Sequence, residues 1–282
     1  MPYLTLTGGL QLFYKERGAG DPLLFLAGTD GDLLHHDAVS PFRTQLAETF
    51  RLLTYDERGL GSSDAPDVAY TMADYADDAR GVLDVIGWDR PFVVGYSFGG
   101  MVAQELALRH PERVRKLVLL NTSSGGAGGA SYPVHQLAGL GRDELHRRRC
   151  ELWDTRHDRT WQLLHPEQMQ AWGDEWDALA VVGAQDHRRI GQARQLGARK
   201  AHDTFDRLPA LTMPVILVTG QYDGIAPPER QFAMASQLAH CEIGIFQGGH
   251  RVLWEDSTAA QAITDFLSRD LQVWPAVGLT QK

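Results

Sequence analysis

Pro91-Phe92-Val93-Val94-Gly95-Tyr96-Ser97-Phe98-Gly99-Gly100 is the stretch that decides the fold. Its opening residues are apolar throughout, as a strand buried on both faces should be. It then runs into a G-x-S-x-G pattern, and the residues from Gly100 to Arg109 have helical composition. With 29 glycines and ten serines in 282 residues, chance produces the pattern in roughly one such chain in ten. The setting is more specific than the pattern. A serine on a tight turn between strand and helix has its Oγ lifted clear of the backbone, Gly95 and Gly99 leave room for that turn, and the helix N-terminus beyond offers a positive end to developing negative charge.

Outward from this turn, apolar strand-like runs alternate with helical patterns. Leu10 to Arg17, Pro22 to Ala27, Arg51 to Tyr55, Pro91 to Tyr96 and Val114 to Leu120 read as strands. The clearest helix runs from Thr71 to Ile86, with Thr71 as N-cap, Asp74 three residues on and Gly87 as the stop. Alternation of this kind predicts a mostly parallel sheet flanked by helices, an α/β fold. The rhythm breaks at Asn121. A glycine run from Gly125 to Gly129 reads as flexible, and about 132 to 205 reads as helical without a strand. The pattern resumes with a strand from Pro214 to Thr219, a helix from Pro227-Pro228 to about Ala239, a strand from Cys241 to Phe246 and a helix from Ser257 to Leu267. We therefore expect a core of residues 1–121 and 206–282 with a helical insertion of residues 122–205.

Composition narrows the function. Hydrophobic residues at 43% and charged residues at 22% are those of a soluble globular chain. A net charge of −9 argues against nucleic acid, whose phosphates need a clustered basic surface. Arg147-Arg148-Arg149, the one basic run, reads as the solvated face of a helix. No apolar run has the length to span a bilayer, no signal peptide is visible, and Cys150 and Cys241 suggest neither a disulfide framework nor a metal knuckle. The expected setting is cytoplasmic, and the expected partner is a small-molecule substrate, with room for a homo-oligomer. No metal and no cofactor are expected; His35-His36-Asp37 lacks any metal-ligand spacing.

A nucleophilic serine needs a base, and the base needs an orienting acid. His250, in Gly248-Gly249-His250, follows the late strand from Cys241; Asp223, in Thr219-Gly220-Gln221-Tyr222-Asp223, ends the strand before it. The order Ser97, Asp223, His250 is the one that accompanies a G-x-S-x-G elbow in α/β sheets.

At this point the chain resembles the α/β-hydrolase superfamily over nearly its whole length. Tyr55-Asp56-Glu57-Arg58-Gly59-Leu60-Gly61-Ser62-Ser63-Asp64 is similar to that family's Y-D-x-R-G-x-G-x-S-D segment, and the Asp223-to-Pro227 spacing and His250 followed by Glu255-Asp256 also match. The insertion sits where the family carries its cap. Within the superfamily the chain looks most like the small esterase, lactonase and perhydrolase branch that includes 3-oxoadipate enol-lactonase-like proteins. The resemblance implies a cofactor-free serine hydrolase acting on an ester or lactone. It also implies an oxyanion hole from the backbone N–H groups of Thr29, in Gly28-Thr29, and Phe98. One position departs from it: Ala27 stands where the family usually has histidine. Asp30 and Asp32 on the same loop would oppose an oxyanion if they faced it, and we expect them to point to solvent.

Two other activities fit the same residues. Relatives that hydrolyse a C–C bond in aromatic ring-fission diketones usually have asparagine before the serine and tryptophan after the histidine, where this chain has Tyr96 and Arg251. Some members of the superfamily keep the triad and act as ligand-sensing receptors. Trp153, Trp161, Trp172 and Trp176 fit either internal packing of the insertion or an apolar pocket above Ser97.

Overall fold

A computed structural model describes residues 2–33, 41–183, 186–270 and 279–281, so the His35-His36-Asp37 cluster lies outside the described residues. Among the described residues, nine strands form one sheet: β1 (Tyr3–Thr5), β2 (Gln11–Arg17), β3 (Pro22–Leu26), β4 (Arg51–Tyr55), β5 (Phe92–Tyr96), β6 (Leu117–Leu120), β7 (Val215–Gly220), β8 (Cys241–Phe246) and β9 (Leu279–Gln281). Their order is β1-β2-β4-β3-β5-β6-β7-β8-β9, antiparallel where β2 meets β1 and β4 and parallel elsewhere. The strand expected from Val114 begins only at Leu117, because Pro111–Arg113 turns once as a 3-10 helix and the Val114 N–H is spent on the Pro111 carbonyl. Strands β1 and β9, three residues each, are too short to leave a period in the sequence.

The side chains split by the two-residue period of a strand. Leu24, Leu26, Val93, Leu117, Leu119, Val215 and Leu217 face one helical layer; Leu23, Phe25, Phe92, Val94, Val118, Leu120, Ile216 and Val218 face the other. Helix α1 (Pro41–Thr49) belongs with the second cluster through Leu46, and α2 (Met72–Ile86) with the first. Thr71 and Asp74 close the predicted capping box on α2, and Gly87 ends it in the left-handed region at φ 76°. Helix α3 (Phe98–Arg109) is buried from Phe98 to Ala107, which leaves the elbow serine on a rigid base.

Between β6 and β7 the described residues contain no strand. They form α4 (Arg142–Trp153), α5 (Arg159–Leu164), α6 (Pro166–Gly183) and α7 (Asp186–Lys200), with short 3-10 turns. The glycine run at the entrance is packed rather than loose. Gly125 forms a β-bridge with Asp203, and Thr204 N–H donates to the Ser124 carbonyl at 2.8 Å, so the two ends of the segment are tied together. The arginine run on α4 is not uniformly solvated: Arg147 and Arg148 pair with Glu144 and Glu151 one turn away, while Arg149 is half-buried and its basicity is lowered by desolvation. Helices α8 (Pro228–Ala235), α9 (Val252–Glu255) and α10 (Ser257–Ser268) complete the core.

Register places the site. Leu26 pairs with Gly95, Tyr96 with Leu120, and Gly220 with Phe246. The loops that follow β3, β5, β6, β7 and β8 therefore leave one edge of the sheet together, the edge where open α/β sheets carry their ligands.

Candidate active site

Ser97 stands at φ 54° and ψ −113°, outside the regions open to most side chains, and is held there by Thr122 Oγ1 donating to its carbonyl at 2.7 Å and by its own N–H donating to the Leu120 carbonyl at 2.9 Å. A Cβ at Gly95 or Gly99 would collide with the backbone of the elbow or of β3, so the turn closes only with glycine at both places. The serine is 5% exposed. Strain of this kind persists only where surrounding contacts over-determine it.

The three expected residues come together. Ser97 Oγ lies 3.1 Å from His250 Nε2, and His250 Nδ1 lies 2.8 Å from Asp223 Oδ2. The partners of Asp223 decide the imidazole tautomer. Its Oδ1 accepts the N–H groups of Ile225 at 2.7 Å and Ala226 at 2.9 Å, and its Oδ2 also accepts Asn121 Nδ2 at 2.7 Å. A carboxylate surrounded by donors accepts only, so Nδ1 carries the proton and Nε2 turns a lone pair to the serine hydroxyl. Asn121 was not singled out by the sequence beyond marking the break in rhythm. It is fully buried at φ 47°, and its amide also donates to the Gly249 carbonyl at 3.1 Å. One side chain thus ties the acid to the base loop.

The base loop is held from three further directions. Tyr96 Oη donates to the His250 carbonyl at 2.9 Å, and burial raises the Tyr96 phenol far above its usual range, so it remains a donor. From the insertion, the Trp153 carbonyl accepts the His250 N–H at 2.6 Å. A Cβ at Gly249 would strike that carbonyl, which explains the glycine before the histidine. Glu255 accepts the Gly249 N–H at 2.6 Å.

Gly28 faces the serine: a Cβ there would stand 3.5 Å from Ser97 Cβ. Thr29 follows it, and Phe98 begins α3 on the opposite side of the elbow. The loop then folds back, with Gly31 N–H donating to the Gly28 carbonyl at 3.0 Å and Leu33 N–H donating to Asp56 Oδ1 at 2.7 Å. That fold-back overturns the expectation for Asp32, which is 2% exposed rather than solvent-directed. Asp56, from the Y-D-x-R-G segment, also accepts Ser62 N–H at 2.8 Å and so couples that segment to the loop.

The tryptophans divide. Trp161 stacks on Trp172, Trp172 on Trp176, and Trp176, 2% exposed, meets Trp153 edge-on at 5.1 Å. Trp153 and Trp172 line a cavity of about 180 Å³ with Arg251, Trp254 and Glu255. That cavity borders the residue after the histidine, not Ser97, and it carries charges among its rings. No group of three or more metal-ligating side chains occurs among the described residues.

A family model described as the alpha/beta hydrolase fold matches residues 21–257. The chain belongs to the α/β-hydrolase family. Among its relatives is a 2-hydroxymuconate semialdehyde hydrolase of Pseudomonas putida, 29% identical over 93% of this chain and 92% of that one. An enol-lactonase of Burkholderia xenovorans superimposes with a TM-score of 0.75 at 24% identity, covering 95% of this chain and 100% of that one. A thermophilic esterase of Thermogutta terrifontis gives 0.72 at 25% identity, over 94% and 97%. This α/β-hydrolase is thus similar to enzymes named for three kinds of substrate.

Proposed function

We propose that this α/β-hydrolase cleaves a carboxylic ester or lactone, without a cofactor, through Ser97, His250 and Asp223 by way of an acyl-enzyme. The observation that carries the reading is the continuous hydrogen-bonded chain from Ser97 Oγ through the imidazole to Asp223. His250 Nε2 takes the hydroxyl proton as Oγ attacks the carbonyl carbon, Asp223 stabilises the imidazolium, and the proton then passes to the leaving oxygen. The N–H groups of Thr29 and Phe98 hold the oxyanion, with Gly28 allowing the carbonyl to approach. Water deacylates the serine by the reverse relay. Residues 122–205 form a cap over a core of residues 1–121 and 206–282, and the buried free thiols of Cys150 and Cys241 fit a reducing, cytoplasmic setting.

A second reading keeps the triad but takes a substrate of the class named by the Pseudomonas relative, and the 29% identity over 93% of the chain favours it. Against it stand Tyr96 and Arg251, at positions where ring-fission hydrolases usually differ. Turnover of a panel of nitrophenyl esters, lactones and ring-fission diketones, with fluorophosphonate labelling of Ser97, separates these readings. Labelling with fastest turnover of esters or lactones supports the first, and fastest turnover of diketones supports the second. Neither labelling nor turnover would point to a receptor.

A further inference from the structure

Ala27, just after β3, has no side-chain hydrogen-bonding group with which to brace the loop, yet the loop is braced from elsewhere. Gln195, on α7, spans it: Asp30, held at φ 61°, donates its N–H to Gln195 Oε1 at 3.0 Å, and Gln195 Nε2 donates to Glu57 Oε2 at 2.8 Å. Gln195 is fully buried, and Glu57 is 1% exposed and anchored in the Y-D-x-R-G segment. One helical turn further on, Arg199 Nη1 donates to Thr29 Oγ1 at 3.1 Å, while its other terminal nitrogen donates to Ser131 Oγ at 2.8 Å and the Tyr132 carbonyl at 3.2 Å.

Arg199 is 9% exposed, and its hydrogen bonds go to hydroxyls and a carbonyl; Asp30 and Asp223 act on it through space. Burial holds its basicity down to about 10, against the pull of those two carboxylates, so it stays charged at neutral pH. Its charge, with that of Arg149, also felt by Asp30, offsets the acidic residue that would otherwise oppose an oxyanion on this loop.

We propose that Gln195 and Arg199 are the positioning residues of the oxyanion loop, so that the last helix of the insertion, and not β3, sets the Thr29 N–H and its electrostatic surroundings. The inference rests on the serine-hydrolase reading above. Neither residue touches the reacting atoms; both act through the loop.

The test uses the full chain with Gln195→Ala, Arg199→Ala and Arg199→Lys. We expect kcat to fall at least tenfold in both alanine variants with KM changed less than threefold, and Arg199→Lys to recover part of the loss. Affinity for a trifluoromethyl ketone, whose adduct carries the oxyanion, should fall in proportion to kcat/KM. Hydrogen–deuterium exchange of residues 26–33, measured also on a Ser97→Ala background, should quicken at least tenfold in Gln195→Ala, and this arm needs no turnover. Unchanged exchange would overturn the proposal whatever the activity. So would a loss of kcat that the ketone affinity does not follow, or an Arg199→Ala effect confined to KM for acidic substrates, which would make the arginine a substrate anchor. Absence of turnover and of fluorophosphonate labelling in the unaltered protein would instead sink the serine-hydrolase reading, with the exchange arm still deciding this one.

Discussion

The Ser97–His250–Asp223 cluster and the loop from Gly28 to Leu33, proposed above to face the oxyanion, are held by different sets of partners. Asp223 is fixed by backbone N–H groups of its own loop and by Asn121 just after β6, and His250 is fixed by Tyr96 beside Ser97 and by the main-chain carbonyl of Trp153 from the insertion. The loop from Gly28 to Leu33 is fixed by long side chains, two of them reaching in from α7 more than 160 residues away in sequence. The main-chain partners of Asp223 and His250 survive most substitutions, whereas the Gln195 and Arg199 bonds to the loop are each one substitution from loss. We expect losses on the first side to stop turnover and losses on the second to slow it.

The strongest break of that contrast comes from the triad. Ser97→Ala and His250→Ala should each lower kcat at least 10⁴-fold, with the double variant little worse, because the residues act as one relay; additive losses in steady-state kinetics would contradict the assignment. Next comes the loop. Thr29→Pro deletes the donor N–H and should cost about 10²- to 10³-fold in kcat, whereas Thr29→Ala keeps it and should stay within roughly tenfold. The pair is compared at equal melting temperature, and a folded Thr29→Pro enzyme with near-normal kcat would assign the oxyanion to another donor.

Asn121→Ala sharpens the acid–base side. It should lower kcat about tenfold and cost roughly 1–3 kcal/mol of stability, since it strips a buried donor from Asp223 and from the Gly249 carbonyl. Denaturant titration beside kinetics checks both halves. The tryptophans separate packing from recognition: Trp176→Ala should cost about 3–5 kcal/mol with substrate preference unmoved. Trp153→Ala, on the cavity beside Arg251 and not on Ser97, should also leave the ranking among esters unmoved, read as relative kcat/KM, and a changed ranking would tie that cavity to the substrate.

The smallest effect is on pH dependence. Burial pushes the Glu57 carboxyl up to about 8 and the His202 imidazole down to about 4. Glu57 holds its proton in the folded state up to a higher pH than unfolded, so its contribution is full below about 4.5 and is lost as pH rises through about 8. His202 resists protonation when folded, so its contribution is full above about 6.5 and is lost as pH falls towards 4. Glu57→Gln should therefore flatten the alkaline decline in melting temperature and leave the acid limb in place. An unchanged alkaline slope would remove Glu57 from the account.

The sequence carried most of the sheet and the three residues that meet at Ser97 because the strands and the elbow rest on short-range signals. Apolar strands announce themselves over five or six residues, the capping box on α2 over four, and the elbow over five, and the triad then follows from strand order. Gln195, Arg199 and Asn121 carried no such signal. Their partners lie between 67 and 170 positions away, and a lone glutamine or arginine in a helical stretch has no periodicity that separates a brace from a solvated side chain. Asp32 was misjudged for the same reason: the turn that buries it is closed by Asp56, from the loop after β4. The glycine run at 125–129 read as flexible because glycine permits looseness and tight packing alike, and only the bridge to Asp203 tells which.

The bond from His250 N–H to the Trp153 carbonyl has a bearing on how such enzymes diversify. A graft that exchanged residues 122–205 for the corresponding piece of a relative would bring new walls to the substrate, but it would also replace the seat against which the histidine rests. Because that seat is a main-chain carbonyl, it constrains the path of the backbone at position 153 and leaves the side chain there free to vary. A chimera that conserves the path at 153, together with the glutamine and arginine of α7, is expected to keep the alignment of His250 with Ser97. One that matches only the outline of the insertion is expected to fold with that alignment lost.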